Sequence, residues 1–324
     1  LLSFYAFAIA FMLASEHCFV FMIAQNRYAQ AVVFEVIETF VRVLILLAPL
    51  WFGYGIMGLV IGTVLYAALR FVLRSAYMFG SADVRFSGWS KSLFAFEQLA
   101  YSVPIALGTL IAIVGGVINR GLIAASFSPA DYAIYAVGTL EIPLDVIFQA
   151  SVATVLRASL PSLVRDGNLA EVVRIIREAV RKLSLVMLPS FIFLLGYSHE
   201  FITVLFTSRY EESVHVFRIY LWLMPLYMFV FSLIPHVFGK TRVHLYVMLA
   251  MTSVLVVLSY ALLKTIGFYG PAIAMVVSQY FGVILFLIVV LRLTRTTLSR
   301  LLPVPSMLRT VLASLVGLLV ARVA

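Results

Sequence analysis

Two groups of charged side chains lie inside otherwise apolar stretches, where a charge is costly unless it faces a polar cavity or a partner. Glu35, Glu38 and Arg42 have the spacing of one helical face, and Glu38 and Arg42 are placed for an i,i+4 ion pair. Arg42 is a candidate to line a cavity and to meet an anionic ligand group, such as a pyrophosphate or an acidic sugar. A self-neutralising structural pair explains the same spacing equally well.

The second group is Glu141, Asp145 and Gln149, which fall on one helical stripe next to a kink expected at Pro143. Two carboxylates one turn apart in lipid repel each other when both are charged, so we expect one to hold a proton at neutral pH. Such a pair suits a proton-coupling or sodium-coupling site, or hydrogen bonds to sugar hydroxyls. The alternative is that this end of the helix reaches water near Asp131.

Two further residues have a functional and a structural interpretation. Arg120 ends an apolar segment, where it either attracts an anionic head group or extends its side chain to the interface. His17, beside Glu16, is either a proton switch or a buried, hydrogen-bonded histidine. The candidates for a coupling ion are therefore Glu141, Asp145 and His17.

The elements that must position these residues are membrane helices. Hydrophobic residues make up 64% of the 324-residue chain, charged residues 11%, and the mean hydropathy is +1.10. A soluble domain is about half apolar and a quarter charged, and an apolar run of about 20 residues spans a bilayer as a helix. The sequence predicts ten such segments, at residues 1–24, 31–52, 56–74, 102–119, 132–157, 183–206, 216–237, 243–264, 268–291 and 306–324.

The basic residues predict the orientation of these segments. Of the 23 lysines and arginines, 17 fall in loops on one side and five on the other, with Arg42 inside a segment. The basic side is predicted to be cytoplasmic. The net charge of +9 therefore reads as a topology signal, and we expect no nucleic-acid partner. The lone Cys18 excludes a disulfide framework within the chain.

The loop 158–182 contains an amphipathic helix at about 168–182. Asn168 and Glu171 have the spacing of a capping box. An apolar stripe runs from Val172 to Leu183, and arginines occupy the opposite face. Such a helix is expected to lie in the membrane interface, with its arginines against anionic head groups.

An internal repeat organises the chain. Gln25 through Gly55 resembles Lys240 through Gly270, and the offset of 215 residues holds through both following helices. The repeats are six helices apart, so they keep one orientation, as in transporters whose two lobes flank a central cavity. Shared short-loop chemistry is the alternative explanation. The repeat also predicts that about three helices precede Leu1, so that the chain is a fragment of a protein with 12 to 14 helices.

The resulting domain prediction has four parts. Residues 1–80 are the C-terminal half of a first lobe, and 81–101 are a cytoplasmic linker. Residues 102–291 form a second lobe of six membrane helices, and 292–324 form a linker and an extra membrane helix.

Several local motifs resemble one family. Residues 204–213, Val-Leu-Phe-Thr-Ser-Arg-Tyr-Glu-Glu-Ser, are similar to the "LFG-x-x-Y-x-x-S/A" element of bacterial polysaccharide transporters. Gly239-Lys240 followed by Tyr269-Gly270-Pro271-Ala272 resembles the "G-K…YG-x-x-GAA" stretch of the same family, and Leu160-Pro161 resembles its "P-x-L" element. These are the O-antigen and exopolysaccharide flippases of the multidrug/oligosaccharidyl-lipid/polysaccharide exporter superfamily. Pro271 and the absence of an asparagine in the eleventh helix depart from the pattern.

The resemblance implies an all-α, multi-pass protein of the cytoplasmic membrane that moves an undecaprenyl-pyrophosphate-linked oligosaccharide by alternating access. It implies no cofactor, metal or catalytic residue. Expected partners are the lipid-linked glycan, anionic lipids, and the polymerase and glycosyltransferases of polysaccharide assembly. The alternative is a cation-coupled small-molecule exporter, which predicts a compact acidic cavity with few cations. A polymerase or ligase is disfavoured because the loops carry neither a catalytic constellation nor a P-loop.

Overall fold

The computed structural model describes residues 27–81 and 92–323, together with Phe11, Met12, Ser15 and Met22. Most of the first predicted segment, 1–24, lies outside the described residues. Throughout the described ranges the chain is helical and contains no strand. The α-helices are α1 (Tyr28–Trp51), α2 (Gly55–Ser81), α3 (Ser92–Ser126), α4 (Pro129–Gly138), α5 (Pro143–Arg165), α6 (Leu169–Gly196), α7 (Ser198–Phe206), α8 (Ser213–Leu221), α9 (Ile234–Val237), α10 (Thr241–Thr265), α11 (Gly270–Thr294), α12 (Leu298–Leu301) and α13 (Val304–Val323).

Short 3₁₀ helices interrupt this series at Ser208–Tyr210, Met224–Met228, Phe231–Leu233 and Gly267–Tyr269. Within the described part, seven helices are long and apolar enough to cross a membrane, or eight if one bent pair counts as a span. Helix α1 is not among the seven, and Glu35, Glu38 and Arg42 all lie in it. The protein is thus an all-α, multi-pass membrane protein.

The chain divides into two compact units, Leu1–Lys91 and Ser92–Ala324. The first unit contains α1 and α2, and the second contains α3 to α13. The lobe boundaries drawn from the sequence stay a prediction. Residues 92–101, which the sequence assigns to the linker, form the first turns of α3.

In the first unit, α1 and α2 pack as an antiparallel hairpin. The turn between them has Gly53 at φ +79°, a left-handed conformation that glycine adopts without strain. Gly62 faces α1 so closely that a Cβ there would lie 2.9 Å from the carbonyl oxygen of Ile45. The helices therefore approach through a small residue, as is common between membrane helices.

The second unit is built around α6, α10 and α11. Its largest apolar core contains Val172, Ile176, Val180, Leu183 and Met187 of α6, all buried. Helix α3 packs along α10 through glycines, since a Cβ on Gly115 would lie 2.5 Å from Cγ2 of Thr252.

The amphipathic segment at 168–182 is part of a membrane helix and is not a separate surface helix. Asn168 caps α6 as predicted, because its side chain accepts a hydrogen bond from the Glu171 amide at 3.2 Å. The helix then runs without a break to Gly196. Its apolar stripe packs into the protein core and not against lipid, while the position of its arginines against anionic head groups stays a prediction.

Two predicted single segments are broken. The segment at 132–157 divides into α4 and α5, with residues 139–142 outside both helices. The segment at 216–237 bends by 53° between Ser213–Met228 and Phe231–Val237. Both breaks occur near prolines, which lack the amide hydrogen that a helix ladder needs. Pro104 and Pro189, in contrast, lie inside the continuous helices α3 and α6.

The helix boundaries agree with the offset of the internal repeat. Helix α2 begins at Gly55 and α11 at Gly270, 215 positions later. Helix α1, at Tyr28–Trp51, and α10, at Thr241–Thr265, precede them in the same order. Duplication of the two lobes stays a prediction, which these boundaries support.

Candidate functional site

A cavity of about 290 Å³ lies inside the second unit, between the start of α5, the bent segment 213–237, α10 and α11. Its polar lining is provided by Glu141, Gln149, Ser232 and Gln279. Aromatic and methionine side chains form most of the remaining wall: Tyr220, Tyr227, Phe229, Phe231, Phe286, Met248, Met251 and Met275. Among the residues that the structure describes, the lining contains an acid, two amides and aromatic faces, and no lysine or arginine.

Glu141 reaches this cavity because α4 ends before it and α5 begins after it. Pro143 is the first residue of α5, and the residue before a proline is driven out of the helical region. Ile142 accordingly has φ −77° and ψ 113°. Glu141 therefore lies in an extended break, and the prediction that it shares one helical stripe with Asp145 and Gln149 is wrong.

Asp145 lies in the first turn of α5 and does not line the cavity. The residue is completely buried, and neither carboxylate oxygen has a hydrogen-bond partner within the described chain. The first turn of a helix carries unpaired amides and partial positive charge, which favours a carboxylate there. Gln149, one turn later, lines the cavity together with Glu141.

The bent segment 213–237 supplies most of the aromatic wall. After α8 the hydrogen bonds change to the 3₁₀ pattern, as in Leu226 to Leu223 at 2.9 Å, and Phe229 is extended. The Tyr280 hydroxyl of α11 donates to the carbonyl oxygen of Trp222 at 3.1 Å. A side chain of a neighbouring helix thus supports the broken backbone, as membrane proteins require at such breaks.

A buried polar network lies beside the cavity. The Asn119 amide of α3 donates to the Ser259 hydroxyl at 2.8 Å and to the Pro271 carbonyl at 2.9 Å. Tyr135 donates to the Asn119 carbonyl oxygen at 3.5 Å, and its hydroxyl lies 3.4 Å from that of Tyr220. Since Tyr220 also lines the cavity, the network links the cavity wall to α3, α4, α10 and α11.

In the first unit, Glu38 pairs across the helix hairpin. Its carboxylate accepts hydrogen bonds from Nε of Arg74 at 2.9 Å and Nη2 of Arg74 at 2.6 Å, and from Nε of Arg70 at 3.2 Å. Arg74 also donates to Glu35 and to the Ser15 carbonyl. The expected ion pair between Glu38 and Arg42 is replaced by this buried cluster.

The remaining candidates are not among the described residues that line the cavity. Arg42 is exposed, and its guanidinium lies 5.9 Å from the centre of the Tyr66 ring. Arg120 is exposed on α3 and is not among the residues that line the cavity. His17 lies outside the described residues. A role in ligand binding for Glu38, Arg42, Arg120 or His17 stays a prediction.

Sequence reasoning missed four polar residues at the site. Gln279 is a polar amide in the strongly apolar helix α11, and a polar residue in such a helix is a signal for a functional site. Tyr220, Tyr227 and Ser232 belong to the bent segment, where aromatic residues are too common in this chain to single any out. Their signal was indirect, through Pro225 and Pro235 on either side of the bend.

Two solved structures are similar to this chain. The lipid II flippase MurJ, in an inward closed conformation, has a TM-score of 0.62 and 16% sequence identity, with 98% of this chain and 66% of that chain covered. The Vibrio cholerae MATE transporter VcmN, in a bent form, has a TM-score of 0.62 and 14% identity, with 89% of this chain and 69% of that chain covered. The chain thus spans slightly less than two thirds of the length of MurJ. At these identities the similarity shows a shared fold.

The sequence itself provides the family assignment. No curated protein sequence matches the chain. The sequence model of one family, described as "Polysaccharide biosynthesis protein", matches residues 1–215, about two thirds of the chain. The match includes Glu141, Asp145 and Gln149, and the fold similarity to MurJ and VcmN agrees with the resemblance noted in the sequence. The chain belongs to this family of polysaccharide biosynthesis proteins.

Proposed function

We propose that the protein moves a lipid-linked oligosaccharide, carried on undecaprenyl pyrophosphate, across the cytoplasmic membrane by alternating access, for cell-surface polysaccharide. In this proposal it is a transporter without a catalytic residue. The family and a fold similar to that of a lipid II flippase support the proposal. The observation that carries it is the cavity inside the second unit, where Glu141 and Gln149 meet an aromatic wall.

The size of the cavity limits its role. Pockets for drug-sized ligands have volumes of about 300–1,000 Å³, so about 290 Å³ accommodates one sugar or a hydrated cation but not a whole oligosaccharide. Amides and a carboxylate hydrogen-bond to sugar hydroxyls, while tyrosine and phenylalanine faces pack on the sugar ring. Glu141 is also the one acidic residue among the described residues of the lining, and it exchanges a proton or holds a sodium ion in the coupled version of the mechanism.

The test removes the charge of Glu141 and keeps the shape of its side chain. Glu141→Gln and Gln149→Ala are introduced into the full-length protein, in cells whose own copy is deleted. We expect both to lower surface glycan at least tenfold at equal membrane expression. Glu200→Gln is the matched control, because it makes the same chemical change at an exposed carboxylate outside the cavity. Normal glycan display by Glu141→Gln would reject the assignment of the site.

One observation favours a second function, a cation-coupled small-molecule exporter. The cavity is compact, contains one carboxylate and aromatic faces, and has no basic residue in its lining. An organic cation matches that lining through charge and cation–π contact. Cells that express the protein would then resist cationic drugs and lose that resistance with Glu141→Gln, while glycan display would not depend on the protein.

A further inference from the structure

A second concave surface lies between α5 and α6, apart from the cavity. The two helices run antiparallel from the turn at 166–168, and a groove of about 300 Å³ opens between them. Val152 and Val155 of α5 and Ile175 of α6 line its sides, while Leu156 and Ala179 are almost completely buried beneath. These walls are apolar.

The polar side chain in this wall, that of Ser151, already has a hydrogen-bond partner. The Ser151 hydroxyl donates to the Ile147 carbonyl oxygen of its own helix at 2.8 Å. Val155 is 65% exposed, so the groove is open and the protein leaves an apolar surface uncovered there. An occupant of the wall therefore needs hydrocarbon and no hydrogen-bonding groups.

The rim of the same groove is basic. Arg174, Glu178 and Lys182 lie on successive turns of α6 and line the groove. The Glu178 carboxylate accepts two hydrogen bonds from Arg181, at 2.8 and 3.0 Å. The Lys182 ammonium lies 3.9 Å from Glu178, beyond hydrogen-bond distance, and the side chain is 68% exposed.

The charge balance of this rim is positive. Glu171 accepts two hydrogen bonds from Arg174, and Glu178 accepts two from Arg181. Within each pair the two charges cancel, so the positive charge of Lys182 is in excess. Its ammonium retains hydrogen-bond donors for an anion at the mouth of the groove.

The sequence prediction of the membrane segments places the groove near the lipid head groups. The sequence predicts that one membrane segment ends at residue 157 and the next begins at 183, at the cytoplasmic interface. The groove residues, 151–156 and 174–182, lie within about two turns before these two boundaries. A lysine at this depth extends its ammonium toward the head groups while its stem packs on apolar surface.

We propose that this groove binds one anionic phospholipid, with its phosphate at the Lys182 ammonium and an acyl chain along Val155 and Val152. The apolar wall fits hydrocarbon, and the excess positive charge at the rim selects an anionic head group over a zwitterionic one. The site is independent of the cavity, so the proposal holds whether or not the protein moves a glycan.

The test uses fluorescence quenching by brominated lipids. Val155→Trp is made in the full chain, with Trp51, Trp89 and Trp222 replaced by Phe, and the protein is reconstituted in phosphatidylcholine vesicles. We expect brominated phosphatidylglycerol to quench the tryptophan at a several-fold lower mole fraction than brominated phosphatidylcholine. Lys182→Gln removes this preference. Lys264→Gln keeps it, because that exposed lysine lies outside the groove.

Equal quenching by the two lipids would mean that ordinary bulk lipid fills the groove, and the absence of quenching would mean that protein covers it. Either result overturns the proposal. If Val155→Trp does not fold, native mass spectrometry of the unmodified protein provides the same comparison. Phosphatidylglycerol is then expected to be retained several-fold more than phosphatidylcholine, and Lys182→Gln to abolish the difference; equal retention refutes the site.

Discussion

The cluster around Arg74 makes a quantitative prediction about stability. Arg74 is 1% exposed and is held by Glu38, Glu35 and the Ser15 carbonyl. Arg74→Met keeps an unbranched side chain with a similar helical preference but shortens it and removes its charge and every hydrogen bond that it donates. Glu38, itself 6% exposed, then keeps a buried carboxylate with Arg70 as its main partner.

The expected magnitude follows from this burial. Removing one partner of a buried ion pair costs about 3–5 kcal/mol when the remaining charge is left without compensation; because Arg70 still contacts Glu38, we expect the lower end of this range, about 3 kcal/mol. Arg42→Met is the matched control, since it makes the same chemical change on an exposed arginine above Tyr66, where a cation–π contact contributes about 0.5–1 kcal/mol. Glu35→Gln is expected to cost about 1 kcal/mol, because its side chain is 39% exposed.

The assay is equilibrium unfolding of the purified protein in mixed micelles, followed by circular dichroism and tryptophan fluorescence together. Agreement of the two probes justifies a free energy of unfolding. The expected order of destabilisation is Arg74→Met well above Glu35→Gln and Arg42→Met. If Arg74→Met destabilises the protein no more than Arg42→Met does, the cluster contributes little to stability and the reasoning from burial fails.

Three further changes test other parts of the structure. Thr207 has φ 71° and ψ 165°, a conformation that costs a residue other than glycine about 1–3 kcal/mol, so Thr207→Gly is expected to raise the thermal midpoint; a lower midpoint would contradict this backbone conformation. Asn119→Ala removes the two hydrogen bonds that the amide donates and the one that it accepts from Tyr135, at a cost of about 1–3 kcal/mol in denaturant titration; no measurable loss would count against the network. Gly138→Ala would put a Cβ 2.5 Å from that of Val216, so we expect about 1–3 kcal/mol of destabilisation and faster hydrogen exchange in α8, and unchanged exchange would show that the contact is looser.

Local signals in the sequence predicted the parts of the fold that depend on a few neighbouring residues. The cap of α6 depends on Asn168 and Glu171, three positions apart, and the structure confirms it. The apolar runs identified most membrane helices for the same reason. In the stretch that resembles the "LFG" motif, Thr207 occupies the glycine position, and it has a positive φ.

Partners that are distant in the chain were beyond such reasoning. The spacing of Glu38 and Arg42 permits an ion pair, but Arg74 lies 36 positions away and reaches the same carboxylate. Periodicity along one helix carries no information about which side chain of a neighbouring helix competes for a group. The sequence therefore identified Glu38 as a polar residue of interest and assigned it the wrong partner.

The break before α5 shows a second limit of prediction from the sequence. Pro143 was recognised as a kink, yet Glu141 was counted as if the helix continued through it. Once the helix ends, spacing of three or four residues no longer places side chains on one face. Glu141 and Gln149 still reach one cavity, while Asp145 between them does not line it. The role of these residues in binding stays a prediction, and the geometry that brings Glu141 and Gln149 to one cavity required coordinates.

The bend in segment 213–237 has a consequence for any guest of the neighbouring cavity. Backbone that leaves the helical pattern exposes peptide oxygens and amides, and at membrane depth these must face water, protein or a bound molecule. Any such group that faces the cavity without a protein partner is a main-chain contact for a guest, and side-chain replacement does not remove it. An alanine scan of the wall would leave such main-chain contacts in place. Moving a proline by one position along the bend would instead change which peptide groups are exposed.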